Sequence, residues 1–250
     1  MIDPPAEPED FTIIDNHLSI RNGVTSIGQS AFYRRGLTGS LIIPDSVTFI
    51  GDMAFNGNKL TGLKIPESLT SIGPAVFAHN QLTRLIIPDS VTSIGGQSFY
   101  NNRLTGSLII PDSVTSIGNW AFSGGNMLSS LSIGSSVREI EVLAFEGNKL
   151  SGNLIIPGSV IRIEASAFAG NELTSLVIPA GVVSIGRDAF DRNPLTSVSF
   201  ERDGVNLYVV EWLVRASTGP FPGNLHSVYE APDGGAGTYI RDSEGNWKKQ

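Results

Sequence analysis

The fold is decided by a stretch that reads Asn80-Gln81-Leu82-Thr83-Arg84-Leu85-Ile86-Ile87-Pro88-Asp89-Ser90-Val91-Thr92-Ser93-Ile94-Gly95-Gly96-Gln97-Ser98-Phe99. Neighbouring stretches keep the same apolar positions, and each closes on a phenylalanine. Eight of the 12 phenylalanines of the chain fall in this one column, at Phe32, Phe55, Phe77, Phe99, Phe122, Phe145, Phe168 and Phe190. Their spacing of 22 or 23 residues indicates a tandem repeat in which each unit forms one coil of a solenoid.

Each unit predicts two short strands on opposite walls of its coil. Leu82, Leu85 and Ile87 have the spacing of a short parallel strand whose alternate side chains point inward. Proline cannot donate the next ladder hydrogen bond, so it ends that strand at Pro44, Pro66, Pro88, Pro111, Pro157 and Pro179. Val91 and Ile94 predict the second strand, and a helical or 3₁₀ turn that carries the phenylalanine closes the coil. We therefore predict a mainly β repeat solenoid.

The interior of the solenoid is predicted from two columns of the repeat. Stacked coils are expected to bring the eight phenylalanines together in one buried ladder. Asparagine also recurs, two residues before the first strand leucine, at Asn58, Asn80, Asn102, Asn126, Asn148, Asn171 and Asn193. A polar ligand ladder is one interpretation of these asparagines. We favour a structural role, because a stacked amide satisfies turn backbone groups that have no ladder partner.

The repeated unit resembles the BspA-type, or Treponema pallidum-type, leucine-rich repeat of bacterial surface proteins. The resemblance rests on the pattern Leu-Thr-x-Leu-x-Ile-Pro-x-Ser-Val-Thr-x-Ile-Gly-x-x-Ala-Phe and covers about residues 11 to 200. It implies a right-handed leucine-rich-repeat coil, an extracellular or cell-surface location, and binding to proteins of a host or a neighbouring cell. Many members carry cysteine where this chain has asparagine, a departure that concerns packing.

Three regions are predicted along the chain. Residues 1–10 are acidic and proline-rich, and we expect a disordered linker. Residues 11–200 form the solenoid, with an irregular N-terminal coil followed by eight repeats. Residues 201–250 form a C-terminal cap, since an open end would expose apolar core. Within this cap we expect a degenerate ninth repeat at 221–229 and a hairpin at 237–247, and residues 205–215 are equally compatible with a helix or a strand.

Composition excludes several classes of protein. The formal net charge of −7, with only 17 scattered Lys and Arg, argues against binding to nucleic acid. The chain has no cysteine, which excludes disulfides and a cysteine nucleophile. No apolar run approaches the roughly 20 residues of a membrane span. The acidic start is unlike a signal peptide, so an export signal is expected to be absent from this sequence.

No constellation of residues predicts catalysis, and we expect neither an enzyme nor a cofactor. His17, His79 and His226 lie far apart in the repeat and have no partner at metal-ligand spacing, so His79 is interpreted as a solvated loop residue. The acidic column, Asp45, Glu67, Asp89 and Asp112, follows the strand proline in four successive units. Such a ladder is a weak candidate for a cation site, but aspartate is also an ordinary turn residue, and we favour the turn.

A binding surface is predicted on the outward side of the first strand. The outward positions are Ile42, Lys64, Ile86, Ile109, Ser132, Ile155, Val177 and Ser199, and five of these eight are β-branched aliphatic residues. In a leucine-rich repeat this face is the concave one, and an exposed aliphatic patch marks a protein partner or weak self-association. We name Ile42, Lys64, Arg84, Ile86, Ile109, Ile155 and Val177 the strand stripe. Two alternatives remain open: that these residues simply favour strands, and that the chain is a structural spacer of a larger surface protein.

Overall fold

A computed structural model of the chain describes residues 10–201, 206–207 and 234–250. The described part is a β solenoid of about eight coils with twenty strands and no helix, which confirms the predicted fold class. The predictions for residues 1–9 and 221–229 lie outside the described residues. So do those for 205–215, apart from the two residues 206–207, which form a strand.

The stack of coils has a hairpin at each end of its described part. Strands β1 (Phe11–Ile14) and β2 (His17–Ile20) form the first hairpin, and β19 (Gly237–Arg241) and β20 (Trp247–Lys249) form the last. These two hairpins are antiparallel, and β19 also pairs antiparallel with the last strand of the stack.

One wall of the solenoid carries the longer strands. They are β4 (Thr38–Ile42), β6 (Lys59–Lys64), β9 (Thr105–Ile109), β11 (Met127–Ser132), β13 (Ser151–Ile155), β15 (Glu172–Ile178) and β17 (Ser197–Phe200). They pair in parallel from one coil to the next, in the groups β4-β6, β9-β11 and β13-β15-β17. We call this wall the strand wall.

The opposite wall carries strands of two residues. They are β3 (Ser26–Ile27), β5 (Phe49–Ile50), β7 (Ser71–Ile72), β8 (Ser93–Ile94), β10 (Ser116–Ile117), β12 (Glu139–Ile140), β14 (Arg162–Ile163), β16 (Ser184–Ile185) and β18 (Asn206–Leu207). Strand β3 pairs with β5, and the other seven form one parallel sheet. Valine and isoleucine of each coil, such as Val91 and Ile94, are buried from this side.

The strand wall is interrupted at the unit quoted first. Residues 82–87 form no strand, although their leucine spacing predicts one. Compared with the other repeats, β4, β9 and β13 each contain one more residue, a glycine with positive φ: Gly39, Gly106 and Gly152. Next to each glycine, the pairing with the following strand shifts by one residue. Each of the three strands pairs only with the strand that follows it. Because the second residue of β9 is such a glycine, the β9 backbone is out of line with residues 82–87.

The turn that carries the phenylalanine differs from the predicted helical or 3₁₀ turn. Ala54 and Asn56 donate their N–H groups three residues back, to Gly51 and Met53, as a 3₁₀ turn would. The N–H of the intervening Phe55 instead donates to Val76 O of the next coil, over 3.0 Å. Since alternate N–H groups bond between coils, consecutive intrahelical bonds cannot form, and the segment consists of turns.

The core is a single apolar interior that runs the length of the stack. Consecutive phenylalanine rings from Phe32 to Phe190 stack at centroid distances of 5.2 to 5.6 Å with interplanar angles of 16° or less. Phe11 meets Phe32 edge-on at 5.0 Å, and Tyr239 meets Phe200 edge-on at 5.7 Å. Tyr239 and Trp247 of the last hairpin are fully buried, so this hairpin covers the final coil.

Candidate binding surface

The outward positions of the strand wall are exposed, except Ser199, which is half-buried beside Thr238 of β19. The exposed fractions of the aliphatic members of the strand stripe are 62% for Ile42, 83% for Ile86, 67% for Ile109, 71% for Ile155 and 38% for Val177. Lys64 and Arg84 are exposed as well. The cause is the alternation of strand side chains: Leu41 and Ile43 point into the core on either side of Ile42.

The strand stripe is divided into patches along the stack. Ile86 and Ile109 occupy successive coils and form one aliphatic pair, while Ile155 and Val177 form a second and are directly paired in the sheet. The exposed Ser132 separates the two pairs. Both members of the first pair are more than 60% exposed, whereas Val177 of the second pair is 38% exposed, so the first pair is the stronger candidate for a contact with a partner.

A cleft lies beside Ile86 where the strand wall is interrupted. Its volume is about 440 Å³, and its lining residues are Arg84, Leu85, Ile86, Thr105, Gly106 and Ser107. At Gly39 the His17 ring lies 2.8 Å from the place that a Cβ would take, whereas nothing lies within 4 Å of that place at Gly106. We name this opening the Arg84 cleft. Its left-handed glycine creates space that no side chain fills.

The opposite wall carries a row of exposed threonines. Thr48, Thr92 and Thr115 each donate a side-chain hydroxyl to the carbonyl of the equivalent threonine in the preceding coil, at 3.0 to 3.3 Å. Phe49 and Val183 are exposed apolar residues here, and they lie at different ends of the stack. Exposed apolar residues are therefore not contiguous on this wall, which supplies positions for control variants.

An aromatic cluster lies on the turns and was not predicted from the sequence. The Tyr100 ring meets His79 edge-on at 5.3 Å and Trp120 edge-on at 5.8 Å. His79 Nδ1 lies 2.8 Å from Asn101 Nδ2. The only signal in the sequence is that Tyr100 follows Phe99, as Tyr33 follows Phe32. His79 is exposed, and the other two rings are half-buried, so they pack chiefly against each other.

The acidic column lies on exposed turns beyond the carboxyl ends of the strands. Asp112 Oδ1 accepts a hydrogen bond from the Ser135 backbone N–H at 2.7 Å. This bond, followed in importance by one to the Ser135 side chain, lowers the pKa of the Asp112 carboxyl. Across the described ranges, no three His, Cys, Asp or Glu side chains converge as a metal site would require. The geometry of Asp112 is that of a turn residue.

The asparagine column is buried and bridges the coils. Asn58 accepts the Leu37 N–H at 3.0 Å and donates to the carbonyls of Phe32 and Phe55, at 2.8 and 2.9 Å. The other six asparagines of the column repeat this pattern. The oxygen and the nitrogen of each amide are both hydrogen-bonded inside the stack, so the amide is not available to a ligand.

Of the other two histidines, His17 lies among the described residues and is not part of the aromatic cluster of His79. His17 is exposed, and its Nδ1 lies 3.0 Å from the Asp15 carbonyl oxygen. His226 lies outside the described residues. Nor do the described residues include a helix that could cross a membrane.

Comparison with known proteins identifies the repeat. Residues 14–122 and 98–208 match the family described as BspA type Leucine rich repeat region, in six copies, which confirms the resemblance predicted from the sequence. No curated protein matches the chain.

Three solved structures are similar to this chain. A leucine-rich repeat protein from Bacteroides ovatus has a TM-score of 0.51 at 21% identity, over 79% of this chain and 57% of that one. The pneumococcal vaccine antigen PcpA has a TM-score of 0.49 at 20% identity, over 79% and 60%. A leucine rich cell surface protein from Faecalibacterium prausnitzii has a TM-score of 0.46 at 24% identity, over 72% and 65%. This chain therefore spans less than two thirds of each of these proteins.

Proposed function

This chain belongs to the BspA-type leucine-rich-repeat family, and from this premise we propose that it is a non-catalytic module that binds a protein partner through the strand stripe. The observation that carries the proposal is the exposure of the adjacent Ile86 and Ile109. The proposed location is the bacterial surface or its surroundings, as the family implies. The partner is a protein of a host or neighbouring cell. A second copy of this chain, associating weakly through the same face, is the alternative partner.

Energetics support a protein as the partner. Fully burying one isoleucine side chain is worth roughly 1.5 to 3 kcal/mol, so Ile86 and Ile109 together could anchor an interface. Aromatic side chains, on which sugar rings stack, are absent from the strand stripe. A repeated strand wall also suits a partner surface better than a small molecule, which needs an enclosing pocket.

Comparative capture tests the proposal. The immobilised chain is exposed to host-cell extract in parallel with two variants, and retained proteins are quantified by mass spectrometry. The first variant, Ile86→Asp with Ile109→Asp, alters the strand stripe. The second, Phe49→Asp with Val183→Asp, places the same charges at exposed positions of the opposite wall.

The proposal expects proteins that are retained by the natural chain and the control variant but lost from the stripe variant. Equal retention by all three, with thermal unfolding showing each to be folded, would refute it. Light scattering of the natural chain and the stripe variant tests self-association in the same way.

A structural spacer is the second candidate function. The observation that favours it is the continuous bridging of coils by the asparagine column, which makes a stack suited to holding other parts of a protein at a fixed distance. The capture experiment separates the two candidates, because a spacer retains no protein that depends on the strand stripe.

A further inference from the structure

The backbone around the Arg84 cleft has unused hydrogen-bonding groups. In the described chain, no backbone hydrogen bond joins residues 84–87 to either neighbouring coil. The last such bonds are Thr83 N–H to Thr61 O, at 3.4 Å, and Thr105 N–H to Thr83 O, at 3.1 Å. The neighbouring coils leave no room for an inserted strand, since adjacent Phe rings of the stack are 5.4 to 5.6 Å apart. The backbone groups that a bound chain can reach are therefore those that face the Arg84 cleft.

The same part of the strand wall carries cations without counterions. Lys59, Lys64, Arg84 and Arg103 are exposed, and none forms an ion pair with a described carboxylate. By contrast, Lys149, farther along the wall, pairs with Glu172 at 3.3 Å. Four uncompensated cations on a chain of net charge −7 form a local positive field against the overall sign.

The register places two of these cations, Lys59 and Arg103, in one column. Gln81 N–H donates to Leu60 O and Arg103 N–H donates to Leu82 O, so Lys59, Gln81 and Arg103 follow one another down a single column at the amino end of the strands. The acidic column lies beyond the carboxyl end of the strands. The amino end of the strands therefore carries Lys59 and Arg103, while the turns beyond the carboxyl ends are acidic and Lys64 lies next to them. This distribution of charge orients a charged partner.

We propose that the Arg84 cleft binds an extended acidic segment of a polypeptide. The segment lies over the cleft on the outer side of the strand wall, bonds to the backbone groups that face the cleft, and places an apolar side chain on Leu85 and Ile86. Its carboxylates face Lys64 and Arg84. This inference rests on the proposed function, and it adds the chemistry of the partner and the place where it binds.

A peptide fits these features better than an acidic polysaccharide. Both would be attracted by the cations, but only a peptide combines carboxylates with apolar side chains and with backbone donors and acceptors. The half-buried Leu85 at the floor of the cleft and the exposed Ile86 offer apolar contact, which a sulfated sugar would not use.

The test is fluorescence anisotropy with the full chain and a labelled octapeptide of alternating Glu and Val. An octapeptide of alternating Lys and Val is the charge control, and dextran sulfate is the acidic polysaccharide. Arg84→Glu is compared with Arg138→Glu, which changes the net charge equally but lies on the opposite wall, at an exposed residue. Thr105→Trp fills the cleft without changing the charge.

The proposal expects the Glu-Val peptide to bind, and to bind more weakly as salt is added. Arg84→Glu should weaken binding about tenfold, because an attraction is lost and a repulsion gained, while Arg138→Glu should have little effect. Thr105→Trp should also weaken binding. Equal binding of both peptides, equal effects of the two Arg variants, or binding of dextran sulfate alone would each overturn it.

These outcomes are separable from the proposed function. Ile155→Asp with Val177→Asp alters the strand stripe outside the cleft. If extract proteins depend on the strand stripe but the octapeptide shows no dependence on Arg84, the cleft assignment is wrong and the binding function stands. If the octapeptide depends on Arg84 but no extract protein depends on the strand stripe, the proposed function is wrong.

Discussion

The side-chain amide of Asn102 donates a hydrogen bond of 2.9 Å to the carbonyl oxygen of Phe77, one coil earlier in the stack. Its second N–H donates to Phe99 O at 3.1 Å, and its oxygen accepts the Leu82 N–H at 3.1 Å. The turn that carries the phenylalanine thus depends on an amide from the following segment, and coils are joined by side chains as well as by strands.

We predict that Asn102→Ala lowers the free energy of unfolding by about 1 to 3 kcal/mol, since three buried backbone groups lose their partner. Chemical denaturation of the purified chain measures this loss. Asn153→Ala, at an exposed position of the strand wall, serves as the control and should change stability little. Equal effects of the two substitutions would show that the buried amide has no special role.

Removing a ring from the phenylalanine ladder should lower the free energy of unfolding more than removing an asparagine amide. Phe99→Ala should destabilise the chain by about 3 to 5 kcal/mol, because it leaves a cavity between Phe77 and Phe122 in the close-packed interior. Phe49→Ala removes the same ring from an exposed position and should cost far less. Thermal and denaturant unfolding compare the two variants, and a similar loss from both would contradict a shared dry core.

Replacing Ser98 should raise the free energy of unfolding rather than lower it. Its hydroxyl is fully buried and has no hydrogen-bond partner among the described residues, and Ala54 and Ala121 occupy the equivalent place in other coils. Ser98→Ala should therefore stabilise the chain by about 1 kcal/mol. Ser90→Ala should destabilise it, because the Ser90 hydroxyl donates to Leu69 O at 2.7 Å. A loss of stability in the Ser98 variant would mean that its hydroxyl is satisfied.

Asp112 predicts a dependence on pH. The Ser135 backbone N–H holds the pKa of this carboxyl below its usual range, so the folded state favours the ionised form. The resulting stabilisation is fully present above the unfolded pKa of about 3.9 and is lost as the pH falls through the lower folded value. NMR titration of the Asp112 carboxyl carbon measures the folded pKa. A midpoint at or above 3.9 would contradict this geometry.

The coil architecture could be predicted from the sequence because its signals are periodic. The column of Phe99 recurs in all eight repeats, and the spacing of Leu82, Leu85 and Ile87 recurs with one inserted glycine in three of them. The repeat, the family and the outward side of the strand wall therefore follow from one stretch. The alternating turn hydrogen bonds could not be predicted, because they depend on the next coil rather than on the turn itself.

The Arg84 cleft could not be predicted either. An added glycine such as Gly106 shows that one coil is longer. It does not show whether the strand of that coil will fail to pair with the preceding coil or with the following one. The aromatic cluster was missed for a related reason: His79, Tyr100 and Trp120 occupy three different columns of the repeat and meet only in the folded stack.

The central claim is that the chain acts through the outward face of its strand wall, and cysteine footprinting tests it most directly. Because the chain has no cysteine, single cysteines can be placed at Ile42, Ile109 and Ile155 on the strand wall, and at Phe49 and Val183 on the opposite wall. Maleimide labelling is then timed with and without a captured partner. The account predicts that the partner slows labelling at one or more strand-wall positions and leaves both opposite-wall positions unchanged. Protection confined to the opposite wall, or at no position, would contradict it.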